Sequence, residues 1–227
     1  MTSEHGFLSE QRLQEGSWRA LERSVARLFV HKGWDHISLV GGPGDQGADV
    51  IASSDNRDIL AQVKFKSDVD RHAGKRIVRD VKRAMEFYDI NEAVCVTNTR
   101  LSSSAIKYKN SLESEGYHIG TLEGADLLET YDQLPRWPQN NLEPYDYQKR
   151  PINRLLELYR DGRDCALLSL ATGLGKTFVA GRFLRQILSS TPDKRILILA
   201  DQKALIRQFD EALWEHLPKE VTTHLWY

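Results

Sequence analysis

Asp49, Gln62 and Lys64 are spaced as the parts of a phosphodiester-cleaving site. Asp49 stands near the start of one run, "ADVIA" (48–52). Gln62 and Lys64 lie thirteen and fifteen residues later in a second run, "ILAQVKF". Side chains alternate along a strand, so residues 62 and 64 share a face, and a hairpin brings Asp49 beside them. An acid, a neutral amide oxygen and a lysine then converge. Hydrolysis of a phosphodiester uses such a set, with oxygen ligands for Mg²⁺ or Mn²⁺ and a cation near the attacking water or the developing charge. Asp49, Gln62 and the Val63 carbonyl are the expected metal ligands, and Lys64 is the expected charge stabiliser. Gln62 offers only a neutral oxygen, so the metal is expected to be held less tightly than between two carboxylates. Taken alone, these residues fit a blander account better, with Asp49 capping a turn and Lys64 solvated on its strand.

Glu22 is the expected helper. It follows Trp18 by about 40° in helical projection and falls on the apolar stripe Trp18, Leu21, Val25, Leu28 and Phe29. A carboxylate on such a stripe is costly unless it meets a cation, a metal or donors. It is expected to point at the same site. Downstream, Arg71, Lys75, Arg76, Arg79, Lys82 and Arg83 surround a second amphipathic segment whose apolar residues are Ile77, Val78, Val81, Met85 and Tyr88. Clustered cations of this kind neutralise phosphates and release counterions, which predicts DNA contact with little sequence preference. A solvated charged face is the alternative.

A second constellation, "LATGLGKT" (170–177), lies between an apolar run and a helical segment. Gly173 and Gly175 let main-chain N–H groups, Thr172 included, wrap phosphates. Lys176 reaches the β- and γ-phosphates, and Thr177 offers a hydroxyl to Mg²⁺. ATP is therefore an expected cofactor.

The elements that must carry these residues follow from periodicity. Helices are expected over Arg12–Lys32, about Gly74–Tyr88, from a Ser102 cap to about Glu115, and over "GADLLETY". Strands are expected at His36–Val40, Ala48–Ala52, Ile59–Phe65, Glu92–Thr97 and His118–Leu122, with tight turns at Gly41–Gly47 and "SSDNRD". The segment 132–144 has three prolines and no periodicity and reads as a linker between a domain at 1–131 and a second at 145–227. The second domain should hold a helix containing "RLLELY", strand "CALLSL", the phosphate loop and its helix through Leu188, strand "RILILA" (Arg195–Ala200) and a helix from Gln202 to about His216. Strand–helix alternation of this kind predicts a parallel sheet.

The chain has 227 residues, 41% apolar, with a net charge of −1, so any basic surface is local. Cys95 and Cys165 sit in apolar runs and are expected as buried free thiols. No apolar run approaches the roughly 18 residues of a membrane span, and "MTSEHGFLSEQ" has no export signal. A cytoplasmic protein without membrane contact is expected.

The residues "ALERSVARLFVHKGWDHISLVGGPGDQGADVIA…ILAQVKFK" resemble the Mrr-type restriction endonuclease domain of the PD-(D/E)XK nuclease fold. The likeness continues through "AVCVTNTRLSSSAIKYKNSLESEGYHIGTLEGADLLE" and spans about Trp18–Leu128. It implies a helix glutamate at Glu22, a "GxD" aspartate at Asp49 and a Gln-x-Lys pair at Gln62 and Lys64. "EPYDYQKRP" ahead of the phosphate loop resembles the Q motif of superfamily 2 helicases. It implies adenine recognition by Gln148, with Tyr145 or Tyr147 stacking. Leu170 at the first loop position departs from the strict P-loop but suits helicase-like variants. Pro151 is expected to kink or delay the Q-motif helix. "ILILADQKALIRQF" resembles the next motor motif, in the variant of type I restriction motor subunits. No Asp-Glu box or second motor lobe follows.

The fold expected is thus α/β: a restriction-endonuclease-like three-layer domain, then an incomplete RecA-like P-loop lobe. The function expected is a Mg²⁺-dependent DNA endonuclease of a nuclease–helicase in restriction or anti-phage defence. ATPase or helicase action is expected only in a longer protein, or with another chain or a second copy completing the motor. The alternative is a non-cleaving DNA-binding module that recruits or gates an ATP-dependent translocase.

Overall fold

In the computed structural model, residues 6–41, 46–55, 57–139 and 142–226 are described. Parts of the expected turns at Gly41–Gly47 and "SSDNRD" and of the segment 132–144 lie outside them, as do residues 1–5. The chain divides into two units, Met1–Leu134 and Pro135–Tyr227.

The first unit is built on one five-stranded sheet in the order β1(His36–Leu39), β2(Val50–Ser54), β3(Arg57–Lys64), β4(Glu92–Thr97), β5(His118–Leu122). Strands β1, β2 and β3 pair antiparallel, whereas helical crossovers make β3–β4–β5 parallel. Helix α3(Arg76–Tyr88) joins β3 to β4, and α4(Ser103–Ser114) joins β4 to β5. One sheet face carries Leu60, Ala93, Cys95 and Ile119 into a core with Ile77, Val78, Val81 and Met85 of α3 and Leu112 of α4. On β2 and β3 the intervening residues Val50, Ala52, Ala61 and Val63 are buried too. There α2(Trp18–His31) packs against β1, β2 and β3. Near-continuous burial of β3 and β4 is the pattern of strands covered on both faces. Ser102 Oγ accepts from the Ala105 N–H at 3.2 Å and starts α4 as expected. Helix α5(Gly124–Gln133) starts with a capping box between Glu123 and Asp126.

The expected single helix over Arg12–Lys32 is two helices, α1(Glu10–Glu15) and α2. Gly16 turns the chain so tightly that a Cβ there would lie 2.2 Å from the Arg12 carbonyl oxygen, and Ser17 then caps α2. Trp18, expected on the buried stripe, is 52% exposed.

The second unit holds α6(Asp146–Arg160), α7(Lys176–Ser190), α8(Lys203–Leu213) and a 3₁₀ turn at Trp214–His216. The expected strands at 165–170 and 195–200 do not form, and among the described residues no parallel sheet exists here. A strand needs a hydrogen-bonded neighbour, and neither run has one. Leu167, Leu197 and Leu199 are consequently exposed, and so is Cys165, contrary to expectation. Cys95 is buried as expected, and burial raises its thiol pKa to about 12. Pro151 does not delay α6, which starts at Asp146 and runs through it. A capping box between Tyr145 and Gln148 fixes the start, so the proline's missing N–H costs one bond within an otherwise continuous helix. His216 is buried against Gly181, where a Cβ would lie 2.0 Å from its ring. Its pKa falls to about 4, chiefly through burial and then through Arg182 and Arg185.

Candidate active site and nucleotide loop

The β2–β3 register pairs Val50 with Ala61, so one step outward Asp49 falls opposite Gln62. The Asp49 N–H donates to the Ala61 carbonyl at 2.9 Å and extends the ladder to that point. Asp49, Gln62 and Lys64 therefore project from one face, and the structure brings them together. Asp49 Oδ2 accepts from the Gln62 amide and, at 2.6 Å, from the Val63 N–H. The same amide nitrogen is 3.2 Å from the Val63 carbonyl. Asp49 and Gln62 are 8% and 1% exposed, so this is a dry cluster where an oxygen set acts strongly on a cation.

Glu22 reaches the site from α2. The space beside Gly41 locates it: a Cβ there would lie 3.5 Å from Asp49 Oδ1 and 3.8 Å from each Glu22 carboxylate oxygen. Two carboxylates thus border one small opening that glycine leaves clear. No group of three or more His, Cys, Asp and Glu side chains that could hold a metal occurs among the described residues. Any cation here would use the mixed set of Asp49, Glu22, the Gln62 amide oxygen and the Val63 carbonyl. Those are hard oxygen donors, which suit Mg²⁺ or Mn²⁺. Half a turn of the Gln62 amide exchanges its nitrogen for its oxygen, so the set fits such an ion.

Lys64 meets an acid that sequence reasoning missed. Its Nζ lies 3.7 Å from Asp80 Oδ2 on α3. Asp80 also draws Arg76 at 3.7 Å and Arg83 at 3.4 Å. Arg83 further donates to the Gln46 carbonyl at 2.9 Å. Gly47 sits against Asp80 with φ +98°, where a Cβ would be 2.7 Å from the Asp80 carbonyl oxygen. The aspartate corner is thereby seated on α3. A signal for Asp80 was present: an acid at i+4 from Arg76 and i−3 from Arg83.

The proposed DNA-contact residues separate. Arg76 and Arg83 turn to Asp80, whereas Arg79 and Lys75 form no ion pair among the described residues. Lys82 pairs instead with Glu86 at 2.9 Å, over the Tyr117 ring, which raises its pKa. Arg71 pairs with Asp68 at 3.2 Å. Asn98 was also missed. Its amide donates to the carbonyls of Leu13 and Lys66 at 2.8 and 2.9 Å and accepts the Lys66 N–H at 2.7 Å. Thr97 Oγ1 donates to the Lys64 carbonyl at 2.8 Å. The end of β4 therefore grips the chain that leaves Lys64.

Residues 13–131 match the family described as Mrr_cat, restriction endonuclease. The chain belongs to that family. Residues 141–226 of this restriction-endonuclease chain match a second family, described as type III restriction enzyme, res subunit. Over 65 residues the chain is 40% identical to the type I restriction enzyme EcoAI endonuclease subunit of Escherichia coli, covering 29% of this chain and 8% of that protein. Over 132 residues it is 30% identical to DNA excision repair protein ERCC-6-like of Bos taurus, covering 55% of this chain and 10% of that protein. The chain thus spans a tenth or less of the lengths of these relatives. A crystal structure of protein of unknown function AF1548 aligns at TM-score 0.40 and 18% identity, over 86% of this chain and 94% of its own.

In the res-like unit, Gly173 and Gly175 take φ +84° and +77°, left-handed values that open the loop before α7. Gly175 precedes the first residue of α7, Lys176, so the helix N-terminus faces the loop. Lys176 Nζ donates to the carbonyls of Leu170 and Ala171 at 2.6 and 3.2 Å. Thr172 is exposed and Thr177 half-buried. Gln148 is buried, accepts the Tyr145 N–H at 3.0 Å and donates to the Leu174 carbonyl at 3.2 Å. Its amide thus ties the start of α6 to the loop. Tyr145 and Tyr147 stack in parallel, centroids 5.6 Å apart, and both are exposed.

Proposed function

We propose that this chain hydrolyses DNA phosphodiester bonds at the corner formed by Asp49, Gln62 and Lys64. The observation that carries the reading is the convergence of the Glu22 and Asp49 carboxylates on the opening beside Gly41, with Gln62 and Val63 bonded to Asp49. Asp49, the Gln62 amide oxygen and the Val63 carbonyl would hold Mg²⁺ or Mn²⁺, with Glu22 in support. Such an ion, when bound, offsets charge building on the scissile phosphate and makes water a better nucleophile. Lys64 then steadies the attacking water or the leaving oxygen. Arg76, Arg79 and Arg83 hold flanking phosphates, and Arg71, Lys75 and Lys82 extend the basic surface. The res-like unit would bind ATP, with Lys176 leaving its loop carbonyls for the phosphates, Thr177 taking Mg²⁺ and Gln148 with its tyrosines meeting adenine. The likeness to a type I restriction endonuclease subunit supports a role in cytoplasmic restriction or anti-phage defence. No described helix is long and apolar enough to cross a membrane.

Cleavage of plasmid DNA with Mg²⁺ tests this. Lys64→Ala and Asp49→Ala should each cut roughly a hundredfold more slowly than the unaltered chain. Equal cutting by all three sinks the assignment. The pairing of Lys64 with Asp80 favours a second reading, a DNA-binding module that does not cut and gates the motor. Salt-sensitive binding without metal-dependent cleavage would select it.

A further inference from the structure

Trp18 begins α2 and stands within about 40° of Glu22 in helical projection, yet it is 52% exposed. The Arg19 guanidinium lies over its ring, 4.9 Å from the centroid. Residues four apart on a helix have Cβ atoms roughly 5–6 Å apart, so the indole stands one turn from the carboxylate that borders the Gly41 opening. A second contact holds the preceding helix. Asn98 holds the Leu13 carbonyl and both main-chain groups of Lys66, so the α1–α2 corner that carries Trp18 is fastened to the chain leaving Lys64. A solvent-facing indole and its own cation thus stand one helical turn from the Glu22 end of the candidate site.

We propose that Trp18, backed by Arg19, is a stacking platform for a nucleobase next to the scissile phosphate. An indole offers a broad π-face, and the adjoining guanidinium offers charge to the flanking phosphate. Inside a paired duplex each base face is covered by its neighbours. Only an unpaired or displaced base can lie on the platform. The substrate class is therefore DNA with an unstacked base beside the cut. The position of the cut rests on the nuclease reading above; the stacking itself does not.

The test uses the full chain in EDTA and two labelled duplexes of one sequence, one fully paired and one with a single unpaired 2-aminopurine. The unaltered chain should prefer the unpaired probe and quench its fluorescence. Trp18→Ala should weaken binding to that probe by roughly five- to a hundredfold and abolish the quench, while Trp18→Phe keeps most of both. A Trp18→Ala chain with undiminished preference and quench overturns the proposal. So does an unaltered chain with no preference, or a Trp18→Ala effect confined to self-association. Trp18-dependent stacking in a chain that never cuts with Mg²⁺ would defeat the nuclease reading and leave this one standing. Cutting of both duplexes alike by the unaltered and Trp18→Ala chains would do the reverse.

Discussion

Replacing Gly47 with alanine asks whether α3 seats the aspartate corner, and three glycines make the answer quantitative. Gly47 has φ +98°, and a Cβ there would lie 2.7 Å from the Asp80 carbonyl oxygen and 2.9 Å from the Asp80 Cβ. The left-handed conformation costs an L-residue about 1–2 kcal/mol. Collision with packed main chain adds about 1–3 kcal/mol, because α3 cannot give way as a flexible side chain would. The combined loss is about 2–5 kcal/mol, a large part of a typical domain stability. Gly116 shares φ +98° but has nothing within 4 Å, so Gly116→Ala bears the first cost alone. Gly74 has open space and no left-handed φ, and alanine there should be neutral or stabilising by under about 1 kcal/mol. Urea unfolding of the first unit, followed by far-ultraviolet circular dichroism, should rank the variants Gly74→Ala, Gly116→Ala, Gly47→Ala from most to least stable. Each lost kcal/mol should lower the melting temperature by about 2–8 °C. Equal losses at Gly47 and Gly116 would refute the contact with Asp80, and with it the seating of Asp49 two residues on.

Asp80→Asn removes the carboxylate that draws Lys64, Arg76 and Arg83. DNA binding should tighten, and the log–log salt slope should steepen by about 1–2 as freed cations reach phosphates; an unchanged slope in anisotropy titrations would refute this. His216 gives the second unit a pH response. Its folded pKa of about 4 lies below the ordinary 6.5, so the unfolded chain takes up a proton first. Its contribution, roughly 3 kcal/mol, is present in full above about pH 6.5 and is lost as pH falls toward 4. Urea midpoints from tryptophan emission should fall over that window and fall less in His216→Gln; parallel curves would count against the burial argument.

The first unit was readable because its local signals agree with its contacts. Ser102, the alternation of Ile59–Phe65 and the apolar face of α3 each serve the element they announce, and the β2–β3 register then places Asp49 opposite Gln62 without further information. Glu22 was readable for the opposite reason, as a charge that contradicts its own stripe. Asn98 and Gly41 stayed hidden because their roles arise from chain segments far away in sequence, and of Asp80 only the local pairs with Arg76 and Arg83 were legible, not its contact with Lys64. The break at Gly16 was overlooked because the apolar spacing continues through it, although a Gly-Ser pair is a common way to end one helix and cap the next. In the second unit, composition suggested strands at 165–170 and 195–200, but composition supplies no hydrogen-bonding neighbour. A β-rich run becomes a strand only when another run pairs with it.

Those two runs have a colloidal consequence. Leu167, Leu197 and Leu199 are 93%, 70% and 81% exposed, and a cavity of about 760 Å³ opens beside the second run, lined by Leu188, Phe209 and Trp226 among others. Each run is short and apolar, and apart from Arg195 at the start of the second it is uncharged, the composition that pairs edge to edge between copies. Charged residues stand at their margins: Arg163 and Asp164 before the first, Lys194, Arg195 and Asp201 around the second. Such gatekeepers slow self-pairing but leave the adhesive segments uncovered. Self-association should therefore follow these two stretches rather than the near-neutral net charge, and it should rise with concentration.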